Sequence, residues 1–158
     1  MDTLLAVKWT TCALASASLA IAGCAGSGLS APEIKVALSA ANEVPPSSST
    51  AGGKASFWVH ADRTVSGVVE TSGMTATAAN LYLGAQGTVG PLAVQLLRTS
   101  SEGPVEMEQT LISGASWTVP RSARLDDTQY RAYLAGELYI NVHSARYPEG
   151  EIRGQLTP

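Results

Sequence analysis

The chain has 158 residues, 45% of them hydrophobic and 15% charged, and a net charge of −3. That length suits one domain, and its basic residues are outnumbered and unclustered, which excludes the electrostatic footprint of a nucleic-acid binder. With two cysteines and two histidines, there is little material for a disulfide framework or a thiolate metal site.

Met1 to Cys24 reads as a processing segment. Lys8 and the α-amino group supply a modest positive charge, and Trp9 to Ile21 is an uncharged, mostly apolar run. Such a run is shorter than the roughly 20 residues needed to span a bilayer but suits a secretory signal. Ile21-Ala22-Gly23-Cys24 is similar to a bacterial lipoprotein box, in which small residues admit the peptidase and the cysteine thiol receives lipid. The resulting division is a signal peptide over 1–23, a flexible tether over 24–32 and a folded domain over 33–158. Cys12 leaves with the signal and Cys24 carries lipid, so no thiol remains in the domain. Ala25 after the cysteine resembles the sorting pattern for the outer membrane, facing periplasm or exterior. A multiply acylated Cys24 would be a stable membrane anchor. An ordinary secretory signal cut nearby, with Cys24 incidental, is the alternative.

Ile34 to Ala40 alternates Ile34, Val36 and Leu38 on one face and is the first predicted strand. Asn42 to Gly53, with two prolines and consecutive Ser/Thr residues, is a loop in which Glu43 reads as a solvated carboxylate beside a rigid turn, a ligand role being the alternative. Ala55 to Ala61 and Thr64 to Ser72 form a hairpin through Asp62-Arg63, with His60 exposed near its tip and Gly67 weakening the return strand or marking a bulge. Ala76 to Gly84 is a further strand. The glycine-rich connection that follows lacks the Lys-Ser/Thr and the helix of a phosphate loop. Leu92 to Arg98 is apolar enough for a buried strand, Val105 to Ile112 alternates as a half-solvated one carrying Glu106 and Glu108 outward, and Ser116 to Val119 is a short strand with Trp117. One helix is predicted between Asp126 and Ala135. Asp126 and Gln129 supply a capping box, Gly136 the stop, and Tyr130, Tyr133 and Leu134 the apolar stripe.

Gly136 to Leu156 has the least ambiguous pattern. Leu138, Ile140 and Val142 alternate with Tyr139, Asn141 and His143, and after a Pro/Gly reversal Ile152, Gly154 and Leu156 alternate with Glu151, Arg153 and Gln155. Antiparallel pairing across Ser144 to Gly150 puts the aliphatic set on one side as a core wall and the six others on the outer side. Short strands with frequent turns and one helix predict an all-β antiparallel Greek-key sandwich of about seven to eight strands, with a small closed barrel as the alternative.

A strand containing Tyr139-Ile140-Asn141-Val142-His143, followed by Pro148-Glu149-Gly150-Glu151-Ile152-Arg153-Gly154-Gln155, resembles the C-terminal signature of the chordin-type CHRD domain. LSAANEVPP at Leu38 to Pro46 and AANLYLGAQGTVGPL at Ala78 to Leu92 resemble its opening and central segments, so the resemblance covers about Glu33 to Pro158. It speaks to fold more than to activity. It also implies a test for metal, because relatives commonly carry a His-x-His pair where Asn80 and Tyr82 stand here. Those two with His143 would complete three imidazoles for Zn or Cu, whereas an amide and a phenol do not replace them.

No catalytic residues are assigned: there is no nucleophile elbow or Ser/His/Asp set, and Glu149 and Glu151 flanking a turn read as solvated charges, or with Glu151 paired to Arg153 or Arg146. The expectation is therefore a non-enzymatic, cofactor-free envelope protein held to the membrane by lipid on Cys24 and acting as a structural or binding module for a protein or glycan partner. A Cu/Zn-binding or redox envelope protein is the alternative. Tyr139, Asn141, His143, Glu151, Arg153 and Gln155 form the candidate binding face. Two other readings of the same residues are plain exterior or internal pairing, and a tie from Asn141 and Arg153 to a neighbouring loop.

Overall fold

The computed structural model describes residues 31–99 and 115–158. The predicted signal and most of the tether, and the strand expected over 105–112 with Glu106 and Glu108, lie outside the described residues. The elements are β1 (Ile34–Ser39), β2 (Gly52–Val59), β3 (Val65–Ser72), β4 (Ala76–Leu83), β5 (Leu92–Gln95), β6 (Leu97–Thr99), β7 (Ser116–Thr118), α1 (Asp127–Leu134), β8 (Leu138–Ser144) and β9 (Ile152–Leu156), with a single 3-10 turn at Ala40–Asn42 after β1.

The all-β antiparallel architecture with one short helix is present. Among the described residues nine strands run as one sheet in the order β5-β4-β8-β9-β1-β2-β3-β7-β6. Its two ends, β5 and β6, are consecutive in the chain with only Leu96 between them. Leu96 donates its N–H to the Ala79 carbonyl of β4 (3.0 Å), and from Leu97 onward the chain pairs with β7. One bent strand thus joins both margins of the sheet and curls it round a single core, a form between the sandwich and the small barrel.

The core follows the alternation. Ile34, Val36 and Leu38 of β1, Phe57 of β2, Val65 and Val69 of β3, Leu81 of β4, Leu138, Ile140 and Val142 of β8, and Ile152 and Leu156 of β9 are all buried. The terminal hairpin pairs Tyr139 with Gln155, Asn141 with Arg153 and Val142 with Ile152, so the aliphatic set forms a core wall as read from the sequence. The β2–β3 hairpin turns at Asp62-Arg63, where the Asp62 carboxylate accepts from the Thr64 N–H (3.0 Å) and hydroxyl (2.7 Å). Gly67 marks no bulge: it stands in register opposite Phe57, and a Cβ there would enter the Phe57 ring.

Two expectations about apolar residues are corrected. Leu92 to Arg98 is not a buried strand, since Leu92 and Leu97 are 53% and 55% exposed and only Leu96 is sealed. A strand that changes partners lies at the margin of the sheet, where its outward side chains meet water. In α1 the capping box is formed, with Asp126 accepting from the Gln129 N–H (2.8 Å) and the Gln129 side chain from the Asp126 N–H (3.0 Å). The helix stops at Gly136, whose φ of +72° favours glycine. Its apolar stripe is narrower than expected: Tyr133 is buried and Tyr130 half-buried, but Leu134 points outward.

Candidate functional site

Strand β8 is buried on both faces, so the six residues expected on an outer face are not a solvated surface. Tyr139, Asn141, Glu151 and Arg153 are each 6% exposed or less, and only His143 and Gln155 are half-exposed. As a free docking face the set is corrected. The Gly84–Gly90 connection and the segments around Glu43–Ser49 and Pro148–Gly150 close over it, and the tie to a neighbouring loop is the reading that describes Arg153.

Arg153 is the centre of this polar layer. Its Nη1 donates to the Thr88 carbonyl (2.6 Å) and its Nη2 to the Ala85 carbonyl (3.1 Å) and to Gln155 Oε1 (3.4 Å). The guanidinium lies 3.5 Å from the centroid of Tyr139, a close cation–π contact between two buried side chains. Gln155 Nε2 donates to the carbonyls of Gly84 and Gly136, each at 2.8 Å. The glycine-rich connection therefore turns carbonyls towards a buried cation, the reverse of a phosphate loop, which presents N–H groups to an anion. Burial holds the Arg153 pKa below the usual arginine value, opposed by the Tyr139 phenol and by Glu43. The alternative pairing of Glu151 with Arg153 or Arg146 is not formed. Glu151 is buried and its carboxylate accepts from the Ser49 hydroxyl (2.6 Å).

Next along the layer, Tyr82 stacks on Tyr139 with centroids 5.4 Å apart. Asn80 Nδ2 donates to the Tyr82 hydroxyl (3.1 Å), which is 3.0 Å from His143 Nε2, and His143 Nδ1 is 3.0 Å from the Pro148 carbonyl. A carbonyl only accepts, so Nδ1 carries the proton and Nε2 takes the hydrogen bond from Tyr82. Of the two residues standing at the His-x-His positions, Tyr82 thus engages the free nitrogen of the remaining imidazole, and Asn80 bonds to the Tyr82 hydroxyl rather than to the ring. His60 lies elsewhere, at the end of β2, where its backbone closes the turn with Thr64. Among the described residues no three His, Cys, Asp or Glu side chains cluster as a metal site.

The residue that sequence reasoning misplaced is Glu43. It is 6% exposed, not solvated. Its Oε2 accepts from Asn141 Nδ2 (3.3 Å), while Glu43 Oε1 and Asn141 Oδ1 are buried without partners. Burial pushes its pKa from 4.5 up to about 7, against the Arg153 charge, the Asn141 hydrogen bond and the Val44 N–H, which pull it down. Gly150 packs against the Glu43 and Asn141 side chains with φ +144°, where a Cβ would be 2.8 Å from Glu43 Oε2. Beside them the Val44–Ser48 and Arg146–Gly150 loops enclose a cleft of about 490 Å³, walled by Pro45, Pro46, Tyr147 and Pro148. Asn42 Nδ2 on the Arg153 carbonyl (3.1 Å) and the Ser47 hydroxyl on the Glu151 carbonyl (3.0 Å) fasten the two segments together. The only sequence signal for Glu43 was its place in the Glu-Val-Pro-Pro motif, because a loop has no periodicity from which to read burial.

Fold and site together define a small all-β domain closed by its C-terminal hairpin, with a polar layer covered by the glycine-rich connection and by the Val44–Ser48 and Arg146–Gly150 loops. A family model described as the CHRD domain matches residues 34–156, and the chain belongs to that family. The three motifs that carried the resemblance fall within the matched span or at its edge. Searches among curated proteins and among solved structures returned no match.

Proposed function

We propose that this is a lipid-anchored cell-envelope protein whose CHRD domain works as a non-catalytic structural or binding module, without a cofactor, for an envelope protein or glycan. The observation that carries the reading is the use made of the terminal motif. Arg153, Gln155 and Asn141 bond to the chain's own loops, which fits a motif that builds the domain rather than one that turns over a substrate. The surface offered to a partner is then the cleft between the Val44–Ser48 and Arg146–Gly150 loops, since the six-residue face is covered. The metal-binding or redox alternative draws less support, because both ring nitrogens of His143 already have partners.

The anchor rests on Ile21-Ala22-Gly23-Cys24 and the apolar run before it. Metabolic labelling with an alkyne fatty acid, followed by membrane fractionation, is expected to label the wild type and place it in the membrane fraction. Cys24→Ser is expected to lose the label and to leave the membrane fraction. Unlabelled wild-type protein released to the medium would instead support an ordinary secretory signal. A pull-down from envelope extract with the lipidated protein as bait, repeated with Tyr147→Ala, tests the cleft. A partner retained equally by both proteins would count against it.

A further inference from the structure

Glu43 is a carboxyl buried at the meeting point of two motifs nearly the whole domain apart in sequence. It has one hydrogen bond from a side chain, one orphan oxygen and no ion pair: among the described residues the salt bridges are Glu33 with Lys35, Lys54 with Glu70, and Arg63 with Asp127. Arg153 on β9 is the nearest source of positive charge, but its donors are held by Ala85, Thr88 and Gln155. The other titratable or charged groups around it are His143 on β8, engaged by Tyr82 and Pro148, and Glu151, engaged by Ser49. Arg146, Tyr147 and Glu149 lie on the far wall of the cleft. A divalent cation fits poorly, since it would have a single carboxylate and would meet the Arg153 charge. A proton fits, because a neutral carboxyl needs no counter-charge in a buried site.

We propose that Glu43 is a proton-operated latch between the Val44–Ser48 and Arg146–Gly150 loops. Neutral, it stays packed against Asn141 and Gly150 and closes the floor of the cleft. Ionised, it draws water in from the cleft on whose wall it lies, and the two loops part. The cleft therefore opens to a partner as the pH rises through neutrality and shuts as it falls.

The test is amide hydrogen exchange on the full-length protein at about pH 5.5 and about pH 8.5, with rates corrected for intrinsic exchange. Protection of the Ser47, Tyr147 and Gly150 amides, each hydrogen-bonded in the closed form, is expected to fall about tenfold or more at the higher pH, while core amides such as Ile140 hold theirs. Glu43→Gln, isosteric with the neutral acid, is expected to keep the protection at both pH values. His143→Gln is expected to keep the pH response. The Glu43 carboxyl carbon, followed by NMR in the wild type, is expected to titrate near neutrality, and this reading holds even where a variant fails to fold. Four results would each overturn the latch: equal protection at both pH values, a response lost in His143→Gln, a carboxyl titrating below about pH 5, or protection restored at high pH by millimolar Ca²⁺ alone.

Discussion

Arg153 and Glu43 show how differently one buried layer treats two charges. Arg153 keeps its charge because carbonyls of the glycine-rich connection and the face of Tyr139 replace the water it lost. Arg153→Ala should leave those carbonyls unpartnered and cost about 2–4 kcal/mol, read from the urea midpoint. Arg153→Lys should recover only part of this, since an ammonium cannot fork to two carbonyls while stacking on a ring. Glu43 has no comparable compensation, so its pKa rises from 4.5 to about 7. Below about pH 4.5 both folded and unfolded chains hold this proton. Between there and about pH 7 the unfolded chain releases it and the folded one does not, so stability falls across that window, by on the order of 3 kcal/mol, and levels off above. Glu43→Gln should remove that component of the slope in a series of denaturation curves from pH 4 to 8. Neither environment was legible from alternation. Period two placed Arg153 opposite the core face correctly but says nothing about what covers that face, and Glu43 sits in a loop where no period applies.

At the scale of elements, local chemistry was readable wherever it is self-contained. The capping box of Asp126 and Gln129 and the stop at Gly136 involve residues three to ten apart, and the helix begins and ends where they stand. Asp126→Ala should cost about 1 kcal/mol, because a helix of this length has little intrinsic stability of its own, and far-UV dichroism on melting would register it. The misreadings concern which face meets what. Leu134 was assigned to the apolar stripe by spacing, but α1 makes few contacts with β8 and gives that position to solvent. Gly67 looked like a weak point in β3, yet the absence of its side chain makes the space that the Phe57 ring fills. A glycine signals room, and only the partner strand tells what occupies it.

For the molecule as a whole, closure of the sheet is the feature on which the core depends. The stretch from Leu92 to Thr99 pairs with β4 in its first half and with β7 in its second, and Leu96, 3% exposed, is the buried point at which it changes over. Leu96→Ala should cost about 2–5 kcal/mol. It should also raise hydrogen exchange in β5, β6 and β7 ahead of β8 and β9, since a seam opens before the interior it closes.

By itself the sequence determined the all-β class, the register of the terminal hairpin, the helix with its caps, and the family, because each rests on residues close together in the chain or on a motif order that one dimension preserves. Only the tertiary structure decided that the sheet closes through a strand with two partners, that the second face of β8 is sealed, and that Glu43 meets Asn141 and Gly150. Those outcomes depend on which loops fold over which strands, and desolvation of a side chain is set by neighbours about a hundred residues away in the chain, which a local pattern does not encode.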